Sequence, residues 1–234
     1  MILEIDDLTK RFGGIRAIDG VSFDLKENEI TGVIGPNGAG KTTLFNLISG
    51  FYKPDRGTII LGGEHIEGRP AHEVARAGIG RTFQIARPFN DLTVWENLLV
   101  SNYDLPQDER AERIEWILDI LDLSEKRRTK AGHLSGGQQT LLEIGRVFML
   151  DPDVILLDEP AAGVNPKLVD RIAKLIEETK DERTYMLVEH DITLISRLCE
   201  RVIVLNKGEV MADGPISEIR EDPDVRRAYL GEGA

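Results

Sequence analysis

Three short segments of this sequence carry residues whose types and spacing suit phosphate chemistry. The first is Gly35, Pro36, Asn37, Gly38, Ala39, Gly40, Lys41, Thr42 and Thr43. Its Gly-x4-Gly-Lys-Thr spacing is that of a phosphate-binding loop. Successive backbone N–H groups curl around an anion, and glycines permit the close approach and unusual dihedrals. Lys41 is placed to reach the β- and γ-phosphates of a nucleotide, and Thr42 to ligate Mg²⁺. The second segment is Asp158-Glu159, directly after the apolar run Val154–Leu157. A carboxylate at the C-terminal end of a buried strand lies where α/β proteins hold ligands. Asp158 suits Mg²⁺, directly or through water, and Glu159 suits a general base for an attacking water. An isolated strand-end Asp-Glu pair is ordinarily a solvated turn; the phosphate loop, which demands an acidic metal partner, reverses that reading. The third segment is Leu134, Ser135, Gly136, Gly137 and Gln138. Two glycines ahead of a helix make a second backbone anion site, with Ser135 adding a hydroxyl. One chain has little use for two such sites on one nucleotide.

These residues need elements to position them. Ile30–Ile34 is a short apolar run that ends in glycine, and Leu44, Leu47 and Ile48 follow at helical spacing before Gly50. Strand, Gly-rich loop and helix therefore come in the order that a phosphate loop requires. Upstream, Met1–Leu8 and Val21–Lys26 alternate as half-buried strands do. From about Thr93 to Leu121 the pattern is helical, with Thr93 and Glu96 as a capping box and Ile114, Ile117, Leu118 and Leu121 as one apolar stripe. Residues 84–134 read as a mostly helical lobe inserted into an α/β core. Beyond it, Asn165 caps a helix that has Pro166 at its first position. Tyr185–Val188 and Val202–Leu205 read as strands, Ile192–Leu198 as a helix between them, and Lys207-Gly208 as a hairpin turn. The expected fold class is α/β: a phosphate-loop NTPase core with a mainly parallel sheet, an antiparallel β side sheet and the helical lobe.

Composition narrows the partners. The chain has 234 residues, one cysteine and a formal net charge of -12. That balance opposes a broad nucleic-acid surface, and one cysteine excludes an internal disulfide framework. No apolar run approaches the ~18 residues of a membrane span, and the acidic N-terminus is unlike an export signal. The expectation is a soluble, cytoplasmic protein that reaches a membrane only through a partner.

Taken together the segments resemble the ATP-binding subunit of ABC transporters, and Leu134–Gln138 is similar to that family's signature motif. The resemblance covers essentially the whole chain. It implies that ATP and Mg²⁺ are bound and that ATP is hydrolysed. It places Phe12 against adenine and makes Gln84, in Arg81-Thr-Phe-Gln84, a sensor of Mg²⁺ and γ-phosphate. It makes His190 a switch that reaches the γ-phosphate, and it puts Asn165 in the D-loop at a dimer seam. Ser135–Gly137 would then contact the ATP of a second subunit. Asn165 stands where the wider family usually has Asp, and Thr140 where many relatives carry a basic residue.

Arg81–Gln84, Asp158–Pro166, Gly50–Pro54 and the ending Asp222–Glu232 resemble the branched-chain amino acid importers. In that subfamily Asn at the D-loop is usual. The implied partners are two transmembrane permease subunits, a second ATPase subunit in a hetero- or homodimer, and indirectly a solute-binding protein, with no nucleic acid. The implied location is the inner face of the cell membrane. Ile85, Pro88, Phe89, Leu92 and Val94, around Arg87, are the expected dock for the permease. Urea or amide importers and a lipopolysaccharide-type exporter are similar alternatives, as is a non-transport ABC ATPase clamp. Trp95, Trp116 and Cys199 read as packing residues.

Overall fold

The computed structural model of the protein describes residues 1–83, 86–102 and 105–230, the last three by their backbone alone. The first part of the chain runs β1 (Leu3–Phe12), β2 (Ile15–Leu25), β3 (Ile30–Ile34), α1 (Lys41–Ile48), β4 (Arg56–Leu61), β5 (Glu64–His65), α2 (Ala71–Arg76) and β6 (Ile79–Arg81). Helices α3 (Val94–Leu99), α4 (Gln107–Ile120) and α5 (Gly136–Phe148) follow. The chain then alternates: β7 (Val154–Asp158), α6 (Pro166–Thr179), β8 (Thr184–Val188), α7 (Ile192–Leu198), β9 (Arg201–Asn206). It closes with β10 (Glu209–Pro215), α8 (Ile216–Ile219) and α9 (Pro223–Leu230).

The strands form two sheets. One is antiparallel, in the order β2-β1-β4-β5. The other has the order β10-β9-β3-β8-β7-β6 and is parallel except for its β9–β10 hairpin, which turns through Lys207-Gly208. Its central strands are buried on both faces, so they read as apolar runs, and their side chains sort by alternation. Val154, Leu156, Met186, Val188, Ile203 and Leu205 enter the core beneath the antiparallel sheet. Ile155, Leu157, Tyr185, Leu187, Val202 and Val204 enter the core on the opposite face. Helix α1 lies in the first core, through Leu44, Phe45, Leu47 and Ile48.

The helical pattern from about Thr93 to Leu121 is carried by two helices. Helix α3 stops at Leu99, and α4 begins behind Pro106, whose ring cannot continue a helix from the N-terminal side. The expected capping box is present: Thr93 Oγ1 accepts the Glu96 amide at 3.2 Å and Glu96 Oε2 accepts the Thr93 amide at 2.7 Å. Val94, Leu98, Ile114, Ile117 and Leu118 share one apolar cluster with Leu141 and Ile144 of α5 and with the sheet face. The lobe is thus packed onto the core without a separate centre. Val94 is fully buried, so it belongs to this packing and not to an exposed dock. Trp116 is 40% exposed and packs at a tilt against Phe148 of α5, ring centroids 6.1 Å apart. Cys199 is core filler; burial pushes its thiol up to about 12.

Candidate functional site

The phosphate loop is shaped by two glycines for which no other residue fits. Gly35 has φ 156°, and a Cβ there would stand 2.2 Å from the Leu205 carbonyl oxygen. Gly40 has φ 110°, and its Cβ would stand 2.6 Å from the Ala17 carbonyl oxygen. Gly40 is also the N-cap of α1, and no side chain caps that end. The first-turn amides of α1 therefore face the loop, with the positive end of the helix dipole behind them. Lys41 is 7% exposed, and its ammonium donates to the carbonyls of Gly35 (2.7 Å) and Pro36 (3.2 Å). Burial lowers its pKa, and the charges of Glu159 and Asp158 oppose that shift. Asn37, Gly38, Ala39, Gly40, Lys41, Thr42 and Thr43 line a cavity of about 300 Å³ together with Ala17 and Glu159. Phe12 is not part of that wall. It is 44% exposed and packs edge-on against Tyr52, with the Lys10 ammonium over its ring.

Strand β7 delivers the two acidic residues to different environments. Asp158 is 3% exposed and pairs with Arg81 Nη2 at 3.2 Å. Burial raises its pKa and Arg81 pulls it back; burial in turn lowers the pKa of Arg81. Arg81 Nη1 donates to Asn46 Oδ1 (2.7 Å) and Ser49 Oγ (2.8 Å), and the guanidinium lies against the rings of Phe45, Phe51 and Phe83. Glu159 then leaves the strand with φ 49°, a left-handed conformation unusual for a side-chain-bearing residue. Such strain is characteristic of functional sites. It turns the carboxylate to His190, whose Nε2 lies 2.9 Å from Glu159 Oε1. Gln84 lies outside the described residues, as does Ile85.

Asn165 caps a helix as expected, and Ser135, read from sequence as a hydroxyl for an anion, caps one too. Asn165 Oδ1 accepts the Leu168 amide at 3.2 Å, with Pro166 following it. Ser135 caps α5 in a capping box with Gln138. The two helix starts touch: a Cβ on Gly137 would stand 2.6 Å from Leu168 Cδ1. Gly136 faces open space. Leu134 is buried in the core behind them. The structure thus brings Lys41, Thr42, Asp158, Glu159 and His190 to one end of the parallel sheet. Ser135, Gly136 and Gly137 are not in the wall of the phosphate-loop cavity.

Among the described residues no group of three or more His, Cys, Asp or Glu side chains is placed to hold a metal ion. A hydroxyl from Thr42 and one carboxylate from Asp158 form the sparse, hard-oxygen set that suits Mg²⁺ arriving with phosphates.

The comparisons follow the same geometry. A family profile described as ABC transporter matches residues 18–162. The chain belongs to the ABC transporter family. It is an ATP-binding cassette, the ATPase subunit of such a transporter. A second profile, described as branched-chain amino acid ATP-binding cassette transporter, matches residues 209–234 of the cassette. The cassette is 43% identical to the high-affinity branched-chain amino acid transport ATP-binding protein BraF of Pseudomonas aeruginosa, over 99% of this chain and 98% of that one. It is 37% identical to the probable branched-chain amino acid transport ATP-binding protein LivG of Archaeoglobus fulgidus, over 98% and 95%. Among solved structures, a nucleotide-free ATP-binding cassette from an ABC transporter superposes with a TM-score of 0.88 at 36% identity, over 99% of both chains. The ADP conformation of the cassette MJ1267 gives 0.86 at 35% identity, again over 99% of both. The dimeric cassette MJ0796 gives 0.83 at 29% identity, over 92% of this chain and 99% of that one.

The sequence reading missed two buried charges near the site, Arg81 and Glu189. Arg81 had been read only as part of a motif. Both stand at strand ends, where a charged residue ordinarily signals solvent, and only the third dimension shows them enclosed.

Proposed function

We propose that this cassette powers uptake of branched-chain amino acids, as one of two ATPase subunits that close head to tail over ATP. The observation that carries the head-to-tail arrangement is that the helix start Ser135–Gly136–Gly137, exposed at Ser135 and Gly136, does not line the phosphate-loop cavity of its own chain. A second subunit would bring its own signature to this loop, and this signature would serve the partner's nucleotide. The cassette solved as a dimer supports the pairing of two subunits. The solute class rests on the two full-length relatives and on the match over residues 209–234.

In this reading Lys41 leaves its carbonyl partners for the β- and γ-phosphates. Thr42 and Asp158, with Gln84, would hold Mg²⁺, which when bound neutralises charge developing on the phosphates. Glu159 orients the attacking water and takes its proton, and His190 meets the γ-phosphate while remaining within reach of Glu159. Closure requires the γ-phosphate, so ATP binding selects the closed pair and hydrolysis resets it.

No helix among the described residues is long and apolar enough to cross a membrane, so membrane subunits would supply the pathway. Their dock would be the exposed rings of Phe83 and Phe89, with Pro88 and Leu92 half-buried beside Arg87. The test is reconstitution with the permease subunits and solute-binding protein of the same system. ATP-dependent leucine uptake is expected, and Glu159→Gln should abolish it, with turnover down about 100-fold or more while ATP still binds and closed dimers accumulate. Parental turnover in Glu159→Gln would remove Glu159 as the base. Uptake of a different solute would remove the substrate class alone.

A further inference from the structure

One buried anion next to the site has no part in the chemistry above. Glu189 is 4% exposed, and no ion pair reaches it among the described residues. Its partners are backbone amides. Oε1 accepts the Ala161 N–H at 2.7 Å and Oε2 accepts the His190 N–H at 3.1 Å, and the Asp191 N–H also favours the charged carboxylate. Burial raises its pKa while these amides lower it. Converging amides around an anion are the same construction that the phosphate loop offers to a ligand. Here the chain fills the ring with its own carboxylate.

The three amides come from two loops. Ala161 lies in the turn that leaves Glu159 and leads to the Asn165 cap, a turn closed by the Ala162 amide on the Glu159 carbonyl at 3.0 Å. His190 and Asp191 lie in the loop after β8, and Asp191 caps α7. Both loops wall one cavity of about 520 Å³, lined among others by Glu159, Val164, Glu189 and His190. Within this pair of loops the side-chain link between Glu159 and His190 is at its exposed rim, where His190 is 46% accessible. Glu189 is the link beneath it.

The geometry points to Glu189 as a positioning residue that binds the 159–165 loop to the His190 loop, so that Glu159, His190 and the Asn165 helix start keep one mutual arrangement. It is not in the wall of the phosphate-loop cavity; it acts through Glu159 and His190. The inference rests on the roles given to Glu159 and His190 above. A displacement of Asn165 at a dimer seam would then reach His190 through the Ala161 amide, without any change in the phosphate loop.

The test uses the full-length cassette. In Glu189→Gln one acceptor becomes an NH₂ that must face a backbone N–H, so the ring of three amides is broken at constant size. The kcat for ATP should fall about 10-fold while KM and the affinity for a fluorescent ATP analogue stay within about twofold. Glu189→Asp, which keeps both acceptors on a shorter stem, should recover part of the loss. A second readout is independent of turnover. The imidazole resonances of His190, assigned by their disappearance in His190→Ala, should shift in Glu189→Gln and lie nearer the parental positions in Glu189→Asp. If Glu189→Gln melts at assay temperature, Glu189→Asp alone carries the readout, with the same direction expected. Unmoved His190 resonances, or kcat and nucleotide affinity falling together, would overturn the assignment. Failure of the underlying reading would look different: Glu159→Gln, run alongside, would retain parental turnover.

Discussion

Helices α1 and α5 begin in similar sequence, with glycines just before or inside the first turn, yet their N-termini are finished in opposite ways. At α1 the cap is Gly40, no side chain satisfies the first-turn amides, and Lys41 is tied back onto the loop carbonyls. At α5 the chain closes on itself: the Ser135 hydroxyl accepts the Gln138 amide at 3.4 Å, and Gln138 Oε1 accepts the Ser135 amide at 3.0 Å. The first end is left open for a ligand, and the second is closed at one amide by its own side chains. A Gly-rich helix start is therefore not one kind of anion site. The open end binds because its donors lack partners. The capped end satisfies one first-turn amide in the single chain, which leaves the Gly136 and Gly137 amides, uncapped by any side chain among the described residues, and the hydrogen of the Ser135 hydroxyl for a phosphate.

Breaking the open end should have the largest effect. Lys41→Ala removes charged hydrogen bonds to phosphate, each worth ~1.5–3 kcal/mol, so nucleotide affinity should fall about 100-fold or more in a titration with a fluorescent ATP analogue. Undiminished affinity would show that the loop amides suffice. Next comes Gly136→Ala. Its Cβ meets nothing within 4 Å in the single chain, so melting temperature and nucleotide affinity should hold while turnover drops about 10-fold. A variant with full turnover would mean that no partner approaches this face. The smallest effect sharpens the comparison by a paired control. Ser135→Ala and Thr93→Ala each delete one capping box, at ~1 kcal/mol and therefore a melting shift of ~2–4 °C. Only Ser135→Ala should also slow turnover; equal activities would reduce Ser135 to a cap.

Local pattern was enough for the strands, because a strand buried on both faces announces itself as an apolar run, and Val154–Leu157 and Tyr185–Val188 fall inside β7 and β8. The caps Thr93 and Asn165 were equally legible, since capping depends on residues no more than three apart. The break between α3 and α4, at Pro106, falls inside the stretch that reads as helical, because the apolar stripe of Ile114, Ile117, Leu118 and Leu121 lies wholly beyond it. Burial of charge was the least readable feature. Arg81 and Asp158 are 77 positions apart, and Glu189 reaches Ala161 across 28. No window of sequence contains both halves of such a contact, so each residue alone looks like a solvated strand end.

Helix α1 is gripped by a cation at each end. Lys41 holds its first turn to the Gly35 and Pro36 carbonyls, and Arg81 holds its last turn through Asn46 and Ser49. At 1.5 Å per residue its eight residues span about 12 Å. A rod that short does not bend under side load; it shifts or stays. Arg81 also rests on the Phe51 and Phe83 rings, which are 51% and 40% exposed. Pressure on those rings would thus travel to the phosphate loop as a rigid displacement along a strut, with the stiffness of the helix setting how little is lost on the way.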